Sequence, residues 1–388
     1  MDSTLRRTWA EIDLDALAHN YRTLRSRMGG RARFLGVVKA DAYGHGAVEV
    51  SRILEELGAE YLAVSNLDEA LELRQGGVAL PILQLGLTPA DQTAQAMACR
   101  VTQAVWSERA ALDFSREARK AGGTLKIHIK LDTGMSRLGF PCGEERFEES
   151  MEAIRRVCAL PGLEAEGIFT HFAVSDEADE DSRAYTLRQY RRFTAMTEAL
   201  ADKGVAFAIR HCANSGAAAG YPQFACDMFR PGIVSYGIGH QAEALGLRPV
   251  MTLKTVVGAV RELPEDTAVS YGCTFRTARP SRIGVLPIGY ADGLHRTLSN
   301  RWQVWTPWGT APIVGRICMD MCMADLTGLP QVREGGEVEV YGVHNSVNDA
   351  ARLAGTISYE LTCAVSRRVP RVYFRSGREV ARELLLRG

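Results

Sequence analysis

The sequence predicts an α/β plus β architecture: an N-terminal (β/α)8 TIM-like barrel followed by a C-terminal mostly-β domain. Three observations lead there. From Phe34 to about Gly237, short apolar runs alternate with longer segments of helical period, the signature of repeated β/α units. After about Ala242 the long helical segments cease and strands of alternating character follow one another. No G-x-G-x-x-G loop follows an early strand, which argues against a doubly wound dinucleotide-binding sheet.

Taken in order, the apolar runs are Phe34 to Lys39, Tyr61 to Ser65, Ile82 to Leu85, Val101 to Trp106, Leu125 to Leu131, Glu164 to His171, Ala206 to His211 and Ala225 to Arg230, enough to close a barrel. Between them lies helix grammar. Asn66 can cap Leu67 to Gln75, with Glu69 three residues on and Gly76-Gly77 as the stop; Arg183 to Lys203 is the longest such segment. The later strands are Met251 to Val260, Thr267 to Phe275, Arg282 to Ile288, Gln303 to Trp305, Pro312 to Asp325 and Glu337 to Tyr341. The expected division is a barrel over 11–241 and a β-rich domain over 242–388, to which residues 1–10 are assigned.

The bulk composition bounds the function. A chain of 388 residues with 46% hydrophobic and 24% charged residues can bury a sizeable core. Its 46 Lys+Arg balance 46 Asp+Glu, and no basic block stands out, so nucleic acid is not an expected partner. No apolar run approaches the roughly 20 residues that span a bilayer, and Met1 to Ala10 hold no apolar segment of the signal-peptide kind. The expectation is a cytoplasmic protein without a membrane partner. Nine cysteines form no C-x-x-C pair and no zinc-spaced cluster, and read as reduced, mostly buried thiols with no metal.

In a barrel of this kind the chemistry sits where strands end. The first run ends Val37-Val38-Lys39-Ala40-Asp41-Ala42-Tyr43-Gly44-His45-Gly46. A lysine closing a buried run is partly desolvated, which lowers its pKa and suits Schiff-base chemistry; a lysine that snorkels at the rim is the equally weighted alternative.

Val37 to Gly46 resembles the attachment motif for pyridoxal 5′-phosphate (PLP) in alanine racemases, members of the fold-type III PLP enzymes. Further blocks match in order: Lys130 to Gly139, Thr170 to Ala173, His211 to Ser215, Arg230 to Ile233, Val269 to Gly272, Ile288 to Gly293, Gly315 to Asp320 and Ile357 to Glu360. The resemblance covers nearly the whole chain. It implies a homodimer with shared active sites that interconverts L- and D-alanine and supplies D-alanine for peptidoglycan.

Racemisation removes an α-proton and returns one to the opposite face, so it needs an electron sink and two bases. By resemblance, Lys39 holds PLP as an imine and serves one face, and Tyr271 of the second subunit serves the other. A phenol acting near neutrality needs neighbouring positive charge or donors, for which the resemblance supplies His171 and Arg230. Arg230 would face the pyridine nitrogen; being unable to accept a proton, it would keep the ring unprotonated and suppress transamination. Tyr43, Asn214, Ser215, Tyr359 and the amides of Gly232 and Ile233 match cofactor-binding positions, most of them at the phosphate. Arg137 is assigned to the cofactor's phenolic oxygen and the substrate carboxylate. Met319, Tyr290 and Tyr359 would border the substrate, with Asp176, Arg296 and Arg316 at the outer mouth. Lys130 matches a position carboxylated to a carbamate (N6-carboxylysine) in many members, an unmodified Lys paired with an acid being the other reading. The rival functions are a racemase of another small amino acid such as serine, a fold-type III decarboxylase, and a non-catalytic PLP-carrier protein.

Overall fold

A computed structural model describes residues 7–384. Eight parallel strands follow one another in space: Met228–Phe229, Arg33–Val37, Tyr61–Val64, Ile82–Gln84, Val101–Val105, Leu125–Asp132, Leu163–Phe169 and Ile209–His211. A two-residue strand, Phe140–Pro141, pairs beside Leu125–Asp132. The outer pair, Ile209–His211 and Met228–Phe229, forms no ladder, but the gap is crossed by backbone bonds from Asp227 to the Arg210 carbonyl (3.0 Å) and from Arg230 to the Ala213 carbonyl (2.9 Å). The result is the nearly closed TIM-like barrel the alternating runs foretell. Strands such as Tyr61–Val64 and Val101–Val105 are buried along their whole length, because helices cover one face and the barrel interior the other.

The apolar runs overshoot the ladders at their C-terminal ends. Lys39, His171 and Arg230 all fall just beyond their strands. Burial continues past the last ladder bond, so hydrophobicity does not mark where the backbone turns away. Among the helices, Asn66 accepts from the Glu69 amide at 2.9 Å and Gly76 closes Leu67–Gln75, as its caps require. The reciprocal half of that cap is different: the Glu69 carboxylate takes the amides of Ser65 (2.6 Å) and Ala40 (2.8 Å). The longest helix runs Glu180–Asp202, earlier than its periodicity suggests, because Asp179 accepts from the Ser182 amide at 2.9 Å and sets the start.

After Lys39 the backbone makes a left-handed helical turn. Ala40, Asp41, Ala42 and Tyr43 have φ of 53°, 54°, 51° and 55°. Each such residue costs roughly 1–2 kcal/mol, so the turn must be pinned from outside. The Glu69 bond to the Ala40 amide, the Ala42 amide bonded to the Val38 carbonyl (2.8 Å) and the Asp41 carboxylate bonded to the Ala47 amide (2.8 Å) do so.

By internal contacts the chain divides into two compact units: Asn20–Ala42 with Ala47–Ser235, and Met1–His19 with Tyr43–Gly46 and Tyr236–Gly388. Residues 1–6 lie outside the described residues. The second unit is built on a seven-stranded sheet in the order Gly309–Pro312, Gln303–Thr306, Glu337–Tyr341, Met251–Val256, Thr8–Asp13, Arg371–Arg375, Arg378–Glu383. Thr8–Asp13 runs antiparallel to Met251–Val256 and parallel to Arg371–Arg375. A three-stranded sheet of Ala259–Leu263, Ser281–Leu286 and Cys322–Asp325 lies in the same unit. The expected strand from Met251 to Val260 is two strands, because Val257 bonds to Gly336 of one sheet's border and Gly258 to Val285 of the other. Pro312 to Asp325 likewise breaks, leaving Cys322–Asp325 as the strand. Among the described residues no helix is long and apolar enough to cross a membrane.

Gly46 has φ +91°, and a Cβ there would fall 1.7 Å from the Tyr373 hydroxyl. Gly77 has φ +83° but open space around it. Gly77→Ala should therefore cost only the backbone strain, about 1 kcal/mol, and Gly46→Ala at least twice that. Urea unfolding of the two variants measures the difference; equal losses would contradict the close approach at Gly46.

Candidate active site

At the C-terminal end of the barrel the sequence-assigned residues of the first unit converge. Leu125–Asp132 alternates, so Lys126, His128 and Lys130 share one face. Lys130 ends that row, buried, with its Nζ 5.5 Å from the centre of the Phe169 ring. Its pKa is pushed down to about 8, chiefly by burial, then by Arg137, Arg230 and Lys39, with Asp132 opposing. Asp132 turns the following loop by accepting the amides of Gly134 and Ser136, both at 3.0 Å, which fixes the approach of the segment carrying Arg137. Lys39 follows the first strand directly and is half-buried, Arg137 exposed.

Arg230 is buried, with 3% of its surface exposed. Its Nη1 donates to His211 Nδ1 at 2.9 Å, and its Nη2 donates to the carbonyls of Thr170 (2.7 Å) and Cys212 (3.2 Å). Burial draws the guanidinium down to about 10, so it stays charged near neutrality. Because arginine can only donate, His211 must carry its proton on Nε2, which donates to His128 Nδ1 at 2.8 Å. His128 Nε2 then donates to Glu166 at 3.3 Å. Both rings are fully buried, and burial holds both pKa values below the usual imidazole range, with Arg230 adding to the effect. Glu166 is held down to about 2, first by the bond from His128 and then by Lys126 (2.9 Å) and Tyr61 (2.5 Å), against its burial. Phe169 stacks on His211 at 4.8 Å and faces Arg230 at 5.3 Å, a cation–π platform shared with Lys130.

His171 begins the loop after Leu163–Phe169, and its Nδ1 lies 3.4 Å from Arg230 Nη2. Burial, then Arg230, Lys130, Arg137 and Lys39, push its pKa well below the usual range. Ser215 Oγ accepts from the Gly232 amide at 2.8 Å, and Ile233 opens the next short turn. Asn214 is spent locally: its Oδ1 accepts from the Ala217 amide (3.1 Å) and the Ser175 hydroxyl (2.7 Å), and its Nδ2 donates to the Phe172 carbonyl (3.2 Å). It caps the helix Ser215–Gly220.

The remaining assigned residues belong to the second unit. Tyr43 packs between Tyr236 and Tyr359, with ring centres 5.3 and 5.9 Å away. The Tyr290 amide donates to the Cys318 carbonyl at 3.0 Å. Tyr271 lies in a tight turn and is 71% exposed; it borders a groove of about 640 Å³ with Ser270, Cys318, Met319 and Met321.

Residues 12–240 match the family model for the alanine racemase N-terminal domain, and residues 250–373 that for the alanine racemase C-terminal domain. The chain belongs to the alanine racemase family. It is thus an enzyme, an isomerase. It is 42% identical to alanine racemase 2 of Caldanaerobacter subterraneus subsp. tengcongensis over 97% of both chains, and 43% identical to alanine racemase of Clostridium perfringens over 96% of this chain and 97% of that one. Among solved structures, alanine racemase of Clostridium difficile 630 superposes with a TM-score of 0.93 at 37% identity, covering 98% of this chain and 99% of that one.

The family assignments left out His128, Glu166, Phe169 and Tyr236. The signal for the first was present: a histidine on the polar face of an otherwise apolar strand, flanked by two lysines at period two. Gly167 makes room for it, since a Cβ there would lie 2.6 Å from the His128 ring.

The neutrality of His128 and His211 has a sign. Unfolded imidazoles titrate near 6.5, so below that pH the unfolded chain holds protons that the folded pair does not. The pair's stability is complete above about pH 6.5 and is lost as pH falls, approaching about 3 kcal/mol per pH unit if both rings stay neutral. Urea unfolding at pH 7 and pH 5.5, with ¹⁵N-imidazole NMR of the folded protein, checks this; a midpoint near 6.5 for His211 would contradict it.

Proposed function

We propose that the chain interconverts L- and D-alanine with PLP by a two-base mechanism, as a cytoplasmic homodimer that supplies D-alanine for peptidoglycan. The observation that carries the reading is the charge at the barrel end. Lys39, Lys130, Arg137 and Arg230 all bear on one imidazole, His171, and buried Arg230 is hydrogen-bonded to neutral acceptors. That donor set fits a cofactor bearing a phosphate of nearly two negative charges, together with a substrate carboxylate.

When bound, PLP supplies the electron sink that makes the α-proton of an amino acid removable. In this reading Lys39 holds the cofactor covalently through Nζ and carries the proton on one face. Tyr271 of the partner subunit carries it on the other through its phenolic oxygen; its exposure in the single chain, with Met319 and Met321 beside it, supports a partner that covers it. Arg230 is the residue for the ring nitrogen, where it can donate but not accept. Tyr43, Ser215, Gly232, Ile233 and Tyr359 are the residues for the phosphate, with Asn214 shaping the loop that presents Ser215. Arg137 receives the carboxylate. A Lys130 whose pKa is drawn to about 8 holds far more neutral amine near neutral pH than an ordinary lysine, and the neutral amine is the form that adds carbon dioxide, which supports its carboxylation. Tyr290, Tyr359 and Met319 limit the side chain to about a methyl group.

Chiral analysis of products from a panel of L-amino acids, with and without added PLP, tests the activity, and D-alanine should dominate. Borohydride should fix the cofactor to Lys39 and to no other lysine. Tyr271→Phe should abolish conversion, and in deuterated buffer it should slow α-exchange of L-alanine far more than of D-alanine. Equal slowing of both enantiomers would reject the assignment of faces. Mixed dimers of Lys39→Ala and Tyr271→Phe should regain activity that each parent lacks.

A further inference from the structure

Cys212 and Cys226 bring their sulfurs to 3.7 Å, although one follows the strand Ile209–His211 and the other precedes the strand Met228–Phe229. Cys212 is completely buried directly after the strand Ile209–His211. Its single S–H has two acceptors, the Phe224 carbonyl at 3.2 Å and the Cys226 sulfur. Cys226 is half-buried, in the left-handed region at φ +49°, on the loop that leads from Pro222–Phe224 into Met228–Phe229. The hydrogen bond from Cys212 draws the Cys226 pKa down, against its burial and with help from the Arg210 guanidinium, while burial pushes that of Cys212 up.

We propose that Cys212 and Cys226 form a reversible disulfide with hydrogen peroxide as oxidant, and that this bond disables the site by displacing the anchors of Arg230. The Cys226 thiolate attacks a peroxide oxygen, giving a sulfenic acid and hydroxide. Cys212 sulfur then attacks the sulfenic sulfur, forming the S–S bond and releasing the second oxygen as water. In sum, two thiols and one peroxide give one disulfide and two waters. The sulfurs must close from 3.7 Å to about 2.05 Å. Cys226 has room to yield, since Pro222 and Gln223 before it are exposed.

The movement is not neutral for the site. Cys212 follows His211, the ring that accepts from Arg230, and the Cys212 carbonyl itself accepts from Arg230. Three residues later stands Ser215, bonded to the Gly232 amide. Cys226 lies four residues before Arg230 on the other arm. A bond between the arms therefore pulls at once on the segment that carries Arg230 and on the segment that supplies two of its acceptors.

The test uses the whole protein treated with hydrogen peroxide. Peptide mapping without reductant should show a Cys212–Cys226 cross-link and a mass loss of about 2 Da. kcat/KM should fall roughly tenfold or more in step with the cross-link, and dithiothreitol should restore both. Cys226→Ser and Cys226→Ala should keep the untreated activity and resist the peroxide-induced loss. A sulfinic or sulfonic product on Cys226 without the cross-link would overturn the proposal. So would a complete cross-link with unchanged kcat/KM, or equal peroxide sensitivity in the Cys226 variants. Because the cross-link is read by mass, it is judged independently of which amino acid the enzyme racemises.

Discussion

A guanidinium without a carboxylate at its side is the constraint around which the barrel end is arranged. Burying a charge costs several kcal/mol unless hydrogen bonds replace its water, and Arg230 obtains them from two carbonyls and one imidazole. The nearest anion along that line is Glu166, with two neutral histidines between. Had Glu166 touched Arg230, the pair would have cancelled and the barrel end would have lost part of its positive field. Spacing the carboxylate by two rings keeps the orientation it imposes, because each ring must point its proton toward it, without neutralising the arginine. The pKa values of Lys130 and His171 are lowered first by burial, and the same field adds to that.

The second requirement is that a lysine leave its strand at a fixed angle. In place of the right-handed helix of a usual β/α connection, the chain takes a left-handed turn from Ala40 to Tyr43. Its strain, roughly 1–2 kcal/mol per residue, is offset by the bond that reaches it from Glu69 and by the one its own Asp41 accepts from the Ala47 amide. Glu69 reads as a helix-cap partner, and the cap does form at Asn66. Its carboxylate, however, is used to hold the residue after Lys39. A local sequence rule and a site-building role thus fall on the same side chain.

What was legible in the sequence follows the same logic. Barrel strands announce themselves because both faces are buried, and the motifs that carry Lys39, His171 and Arg230 fall just past three of them. Ladder ends were not legible, since burial outlasts hydrogen bonding at Lys39, His171 and Arg230. Nor was Arg371, which no motif singles out. It is 2% exposed and donates to the carbonyls of Gly44, Val365, Ser366 and Val369. Those carbonyls end a helix and two turns; their need for a donor arises only when the chain is folded, so no window of sequence contains it. The line from Arg230 to Glu166 is hidden for a similar reason. Its members come from three strands and the residue that follows a fourth, and only the odd histidine at 128 hints at it.

The groups assigned to proton transfer differ in how they are held. Lys39 is half-buried and precedes a turn pinned by the Glu69 carboxylate on the Ala40 amide and by the Ala42 amide on the Val38 carbonyl. Tyr271 has an open side chain on a fixed backbone: Ser270, Gly272 and Cys273 have φ of 66°, 71° and 47°, the short strands Ala268–Val269 and Phe275–Arg276 pair around them, and Ser270 Oγ donates to the Arg316 carbonyl at 2.6 Å. A Cβ on Gly272 would come within 3.0 Å of the Arg316 guanidinium carbon, so the turn is also packed from one side. The position of the phenol's Cα is therefore settled within one chain, and only its surroundings are left open. On the proposed reading, a partner has to exclude water and supply charge around Tyr271 but need not reshape the turn that bears it. That division suits a base shared between subunits, because assembly then completes the site's environment without paying again for the order of its backbone.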